Sequence, residues 1–345
     1  MNINLSNFFL VGFFFYLFFF ISKEIKFFNK ILVDKEFKKP QGFHNSPIVR
    51  SGGFLIFLTT IFLFILLERT NVEITLLYLV SINFFLGFFD DTKILSNPKL
   101  RFLIFLIANL FLIILFNIKI NKFDFILFDY LNDNYFLFSI FLSLCAIFFV
   151  INGANLIDGF NGLLTIHAII ILTILYYLAN KFNLYHILTI LFYILIILAF
   201  FLILNFPKAK LFLGDGGAYY IGAVISYFTI LIAGEANEIS PFFFAILIYY
   251  IFLEVIFSVF RKIYEKKDPF LPDSKHLHML IYYLIEKKFN KNKRNYMTSI
   301  FVNIFYLISI IPSLFFYKNS VICQFYFLFL IFLYLTSYII LRAKN

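Results

Sequence analysis

Four short polar motifs carry whatever chemistry this sequence can do: Asp90-Asp91, Asn155-Leu-Ile-Asp158-Gly159, Gly214-Asp215-Gly216-Gly217 and His276-Leu-His278. They interrupt a chain of 345 residues that is 62% hydrophobic. An aspartate at the centre of a membrane helix costs roughly 2.5–3.5 kcal/mol on insertion scales. Carboxylates and imidazoles gathered in so apolar a chain therefore point to a built site, and their oxygen-rich donor set points to an enzyme that uses a metal.

Each motif has its own chemistry and a plainer alternative. Asp90 and Asp91 end an apolar run, where a helix C-terminus is partially negative and repels them. Lys93, Lys99 and Arg101 would offset that charge, and a divalent cation would do so better; otherwise the pair starts a solvated turn. Asn155 and Asp158 are three apart, so one helical turn places both on one face, within a loop read as 152–162. The alternative there is capping by Asp158 or Asn161. Gly214-Asp215-Gly216-Gly217 opens a helix whose first backbone amides favour anions, with Asp215 in reach of those amides or of a metal. It would also make an ordinary turn. His276 and His278 can point to one side of an extended segment and bind metal or phosphate, but two histidines with no third ligand argue against zinc. Glu254 lies inside an expected span, with Arg261 seven residues on as a partner on a similar helical face. His44 and Arg50 belong to a polar loop, Lys39-Pro-Gln-Gly-Phe-His44 to Gly53, that can cover a ligand or be simple surface. His167 and His186 read as packed or interfacial.

The elements that must position these residues are membrane helices, making the expected fold all-α and polytopic. Eleven spans are expected at 6–22, 52–67, 72–89, 102–118, 135–151, 163–179, 184–204, 216–234, 241–260, 296–316 and 321–341. They use nearly the whole chain, so residues 1–345 read as a single integral membrane domain. The loops on one side hold 24 of the 29 Lys and Arg; the other side holds Arg69, Lys119, Lys122, Lys181 and Lys318. The positive-inside rule then puts the N-terminus outside (periplasmic) and the C-terminus and all four motifs in the cytoplasm. The same rule accounts for the net charge of +10 as anchoring rather than nucleic-acid binding. The first apolar stretch lacks a basic leader and a cleavage site, and reads as a retained span. Cys145 and Cys323 both fall in expected spans and read as buried thiols.

Taken in order, the Pro-Gln-x-Phe-His44…Arg50-x-Gly-Gly loop, Asp90-Asp91, Asn155-x-x-Asp158-Gly, Gly-Asp215-x-Gly and His276-x-His278 after Phe-x-Pro-Asp273 resemble the polyprenyl-phosphate N-acetylhexosamine-1-phosphate transferases of glycosyltransferase family 4. The likeness runs from about Asp34 to His278. It implies attack of polyprenyl phosphate, such as undecaprenyl phosphate, on the β-phosphorus of a UDP-N-acetylhexosamine, giving the polyprenyl-diphospho-sugar and UMP in the inner, cytoplasmic membrane. The expected cofactor is Mg²⁺, with Mn²⁺ as the alternative, on Asp215 and Asn155. The resemblance assigns catalysis to Asp90, Asp91, Asp158, His276 and His278, and substrate binding to His44, Arg50, Lys99, Asn155, Glu254 and Arg261. It is compatible with a homodimer and does not require one. Two departures matter: Asn161 stands where many relatives carry a second acid, and His276-Leu-His278-Met lacks a third histidine. The latter favours the O-antigen and enterobacterial-common-antigen branch, with N-acetylglucosamine or a related amino sugar, over phospho-N-acetylmuramoyl-pentapeptide transfer. A single displacement is expected rather than a phospho-aspartate. The rival of another class is an ion-coupled transporter, which would need polar groups near mid-membrane.

Overall fold

The computed structural model describes residues 5–25, 30–34, 47–67, 70–95, 97–269, 271 and 273–344. Helices dominate: α1 Leu5–Glu24, α2 Gly52–Leu66, α3 Asn71–Asp91, α4 Pro98–Phe116, α5 Ile126–Asn134, α6 Phe136–Ile157, α7 Leu163–Lys181, α8 Tyr185–Asn205 and α9 Gly214–Glu235. Then come α10 Pro241–Leu247, α11 Tyr249–Tyr264, α12 Leu277–Glu286, α13 Lys291–Ile310 with a 3₁₀ turn, Ile311–Phe315, and α14 Ser320–Lys344. The chain is a multi-span membrane protein. Among the described residues, nine helices are long and apolar enough to cross a membrane, and α10 with α11 makes a tenth span bent by 73°.

That count corrects the expected eleven. The expected span 52–67 is the 15-residue α2, short of the ~20 residues needed for an untilted crossing. The expected continuous span 241–260 breaks at Ile248. Tyr306 donates its hydroxyl to the Leu247 carbonyl at 2.5 Å, so a backbone acceptor at the break is satisfied inside the protein. Asn152 to Ile157, expected in a loop, continue α6, because α6 packs against both α9 and α11 and that packing outweighs the glycines' preference for a turn.

The central element is α9, packed by α2, α3, α6 and α7 and buried along most of its length. Small residues let its neighbours approach closely. A Cβ on Gly53 would overlap the Gly217 backbone, and a Cβ on Gly87 would overlap the Asp215 carbonyl. Those two contacts bring the start of α2 and the end of α3 onto the first turn of α9. A small antiparallel pair, β1 Val33–Asp34 and β2 Ile48–Val49, was not expected; each strand is two residues long and leaves no alternating pattern to read. Beyond β2 the chain straps onto the segment before α9. Phe212 N–H donates to Val49 O at 2.9 Å, Gly52 N–H to Phe212 O at 2.9 Å and Gly53 N–H to Leu213 O at 2.8 Å.

Candidate active site

The strap and the glycine contacts gather carboxylates from separate parts of the chain around the N-terminus of α9. Asp91, the last residue of α3, reaches across to it. Its Oδ2 accepts the Gly216 N–H at 3.0 Å and faces the Asp215 N–H. The amides expected to bind an anionic ligand are therefore occupied by a protein carboxylate, which corrects that reading. The other oxygen, Oδ1, is buried and accepts no hydrogen bond; Arg50 Nη1 stands 3.7 Å away. Arg50 is fixed in turn by Asp34, whose Oδ2 accepts from Nη2 at 2.6 Å and Nε at 3.2 Å. Burial works against the Arg50 charge, but Asp215, Asp34 and Asp91 outweigh it and hold the guanidinium above its ordinary pKa.

Asn155 sits half-buried on the last turn of α6 and Asp158 is its C-cap residue, not the cap of the next helix. The residue before α7 is Gly162, which uses no side-chain cap. Asp158 is half-buried by surface area yet densely surrounded by protein atoms. Burial pushes its carboxyl up to about 7; the Asp215 charge adds to the rise and Arg50 opposes it. Asp91, Asp158, Asp215 and Arg50 thus form one electrostatic group. The loop holding Asp158 is pinned by Asn205, which sequence reasoning did not single out. Its Oδ1 accepts Gly162 N–H at 2.6 Å and its Nδ2 donates to Leu211 O at 2.8 Å. An asparagine ending a long apolar run was the one available signal.

The histidines close the site from another side. His276 Nδ1 lies 2.9 Å from Glu254 Oε2, Leu277 N–H donates to Glu254 Oε1 at 3.1 Å, and His278 Nδ1 is 3.8 Å from Oε1. The His278 ring lies over Gly159, where an added Cβ would sit 3.6 Å from Nε2. Burial, first, pushes the His278 imidazole down to about 4; Glu254 opposes this and His276 adds to it. The expected Glu254–Arg261 pair is corrected. Arg261 Nη2 donates to Asp273 Oδ2 at 2.8 Å and Nη1 to Lys275 O at 2.7 Å, because the chain folds back over α11 and supplies a nearer acid. Asp273 in turn faces His276 Nε2 at 3.6 Å. Though buried, its carboxyl is held below the usual range by the Lys275 N–H and by His276, Arg261 and Lys262.

The remaining candidates lie nearby or outside. Asp90 forms an ion pair with Arg101 on the first turn of α4. Lys99 is exposed at the same helix start, and His44 falls outside the described residues. His186 pairs with Glu235 at 3.1 Å, at the far end of α9 from Asp215. That far end also lines a cavity of about 330 Å³, with Asn71, Thr75, Asn117, Lys119 and Tyr227. Twenty residues of helix separate it from the carboxylates, about 30 Å, so it is not part of this site. Cys145 and Cys323 are free thiols.

Among the described residues no three His, Cys, Asp or Glu side chains stand close enough to hold one ion. Mg²⁺ commonly takes one or two carboxylates and completes its shell with water and substrate phosphate. The hard oxygens of Asp215, Asp158 and Asn155, beside the unpartnered Asp91 Oδ1, fit that habit.

Comparison with known proteins adds to this geometry. Residues 73–233 match the family model described as Glycosyl transferase family 4. An undecaprenyl-phosphate alpha-N-acetylglucosaminyl 1-phosphate transferase of Thermotoga maritima is 37% identical over 79 residues, 23% of this chain and 25% of that protein. A probable undecaprenyl-phosphate N-acetylglucosaminyl 1-phosphate transferase of Bacillus subtilis is 28% identical over 244 residues, 68% of this chain and 66% of that protein. A decaprenyl-phosphate N-acetylglucosaminephosphotransferase of Mycobacterium leprae is 27% identical over 160 residues, 41% of this chain and 40% of that protein. The chain thus spans between a quarter and just under two thirds of these curated relatives.

Proposed function

The chain belongs to glycosyl transferase family 4, and from that premise we propose that it transfers N-acetylglucosamine 1-phosphate, or the phosphate of a related amino sugar, from a UDP-sugar to polyprenyl phosphate. The observation that carries this reading is the meeting of Asp91, Asp158, Asp215 and Arg50 at the start of α9, with His278 over the Asp158–Gly159 loop. These groups come from distant segments and crowd one end of the helices. A transporter would need them near mid-membrane.

In the proposed reaction an oxygen of polyprenyl phosphate attacks the β-phosphorus of the UDP-sugar, and the bond to the bridging oxygen of UMP breaks. The nucleophile is already anionic, so positioning and charge carry most of the catalysis. Arg50, rigidly held by Asp34, supplies fixed positive charge beside the carboxylates. Arg101, oriented by Asp90, does the same at the start of α4, with Lys99 beside it, where a lipid phosphate would approach. Asp91 acts mainly by fixing the first turn of α9 and so the place of Asp215. Asp215, Asn155 and Asp158 would hold Mg²⁺ or Mn²⁺, which supplies positive charge against the donor diphosphate when bound. The site is on the cytoplasmic face of the inner membrane, where UDP-sugars are available.

The test is incubation of the purified protein with labelled UDP-N-acetylglucosamine and undecaprenyl phosphate. Labelled lipid and UMP in equal amounts are expected. Lack of product with this donor, with UDP-N-acetylgalactosamine and with UDP-muramoyl-pentapeptide would remove the transferase reading.

A further inference from the structure

Glu254 is 1% exposed, and its carboxylate is surrounded by donors. It accepts from His276 Nδ1 at 2.9 Å and from the Leu277 N–H at 3.1 Å, and the Tyr250 and Tyr334 hydroxyls also hydrogen-bond to it. A carboxylate so occupied has little left for a substrate. An ionised carboxylate only accepts, so the proton on His276 must sit on Nδ1. Tyr250 and Glu254 are four residues apart on α11, hence on one face. The Tyr250 hydroxyl is 3.5 Å from His278 Nδ1; having donated its proton to Glu254, it offers a lone pair to that nitrogen. His278 Nδ1 is therefore the protonated nitrogen, and Nε2 is bare.

That bare nitrogen has no partner. His278 is 0% exposed, and its Nε2 is buried without a hydrogen bond above Gly159. The two imidazoles lie parallel, with centroids 5.4 Å apart, and Phe160 meets the His278 ring edge-on. The groups facing the pair are Glu254, Tyr250, Tyr334 and Asp273. A diphosphate offers only acceptor oxygens at neutral pH, and two acceptors repel. A neutral Nε2 needs a donor.

We propose that Glu254 is a positioning residue which, directly at His276 and through Tyr250 at His278, keeps both imidazoles protonated on Nδ1, so that His278 Nε2 accepts a hydrogen bond from the sugar of the bound nucleotide, an N-acetyl N–H or a hydroxyl, rather than touching the diphosphate. The identity of the ligand rests on the transferase reading; the protonation pattern does not.

Two measurements on the full-length protein in lipid nanodiscs test it. Nitrogen-15 NMR of histidine-labelled protein distinguishes protonated from bare ring nitrogens, with His278 assigned by the signal lost in His278→Gln. Wild type should show Nδ1 protonated and Nε2 bare at His278, and Tyr250→Phe and Glu254→Gln should lose that pattern. Binding then separates sugar from diphosphate, because UDP carries the diphosphate without the sugar. Both variants should bind UDP-N-acetylglucosamine about tenfold more weakly, the loss of one hydrogen bond, and bind UDP as wild type does. A proton on His278 Nε2 in wild type would overturn the proposal, as would equal weakening of UDP and UDP-sugar. If Glu254→Gln fails to fold, Tyr250→Phe, which removes a single hydroxyl, carries both readouts. Wild type that binds neither nucleotide while keeping the Nδ1 pattern would count against the transferase reading and leave the positioning role standing.

Discussion

The last residue of α3 meets the negative end of its own helix and the positive end of α9, and the second contact wins because the backbone amides of Gly216 and Asp215 converge on its carboxylate. Asp90 settles the same repulsion by pairing with Arg101. His278 gives a pH prediction at this scale. Its folded pKa is lowered from 6.5 to about 4, so its contribution to stability is complete above about 6.5 and is lost as pH falls through about 4, up to roughly 3 kcal/mol. Asp158 acts with the opposite sign: its raised carboxyl costs stability as pH rises from about 4 to about 7. The measurable quantity is therefore a difference. Thermal unfolding of wild type against His278→Gln should show wild type losing stability relative to the variant from pH 6.5 to 4; parallel curves would contradict the buried neutral imidazole. The residue types at the site were legible in sequence because charge is rare in this chain. Their pairings were not: Glu254 and Arg261 share a helical face, but the segment after α11 returns with His276 and Asp273 and takes each one separately.

Among elements, α9 decides the geometry, because nearly all of it is buried and its neighbours reach it over glycines. Replacing Gly87 by Ala puts a methyl into the Asp215 backbone, which no rotamer change relieves. The expected cost is at least the 1–3 kcal/mol of ordinary overpacking, read as a lower melting temperature, with transfer lost more steeply than stability because Asp215 itself is displaced. Unchanged activity would show that the α3–α9 contact does not set the site. Hydropathy located the apolar segments well, since lipid and core both demand nonpolar side chains. It missed what tertiary contacts decide: the continuation of α6 through Asn155, the break before α11 that carries Glu254 under the histidine loop, and the two-residue strands that aim Arg50.

For the molecule as a whole, the basic residues predict an orientation that labelling can check. In intact cells Lys318→Cys should react with a membrane-impermeant maleimide, while Lys287→Cys should react only after permeabilisation; the reverse pattern would put the carboxylates on the wrong side for UDP-sugars. The motifs' order along the chain and the side they share were readable from sequence, whereas their meeting around one helix start depended on packing that no linear pattern encodes. The most direct test of the central claim, that this meeting point is a metal-assisted transfer site, is a Mg²⁺ titration of sugar-phosphate transfer by wild type and Asp215→Asn side by side. Wild-type transfer should rise with Mg²⁺ and vanish with EDTA, and Asp215→Asn should fall at least about a hundredfold while keeping its fold. Full activity of Asp215→Asn, or wild-type transfer indifferent to EDTA, would contradict the account.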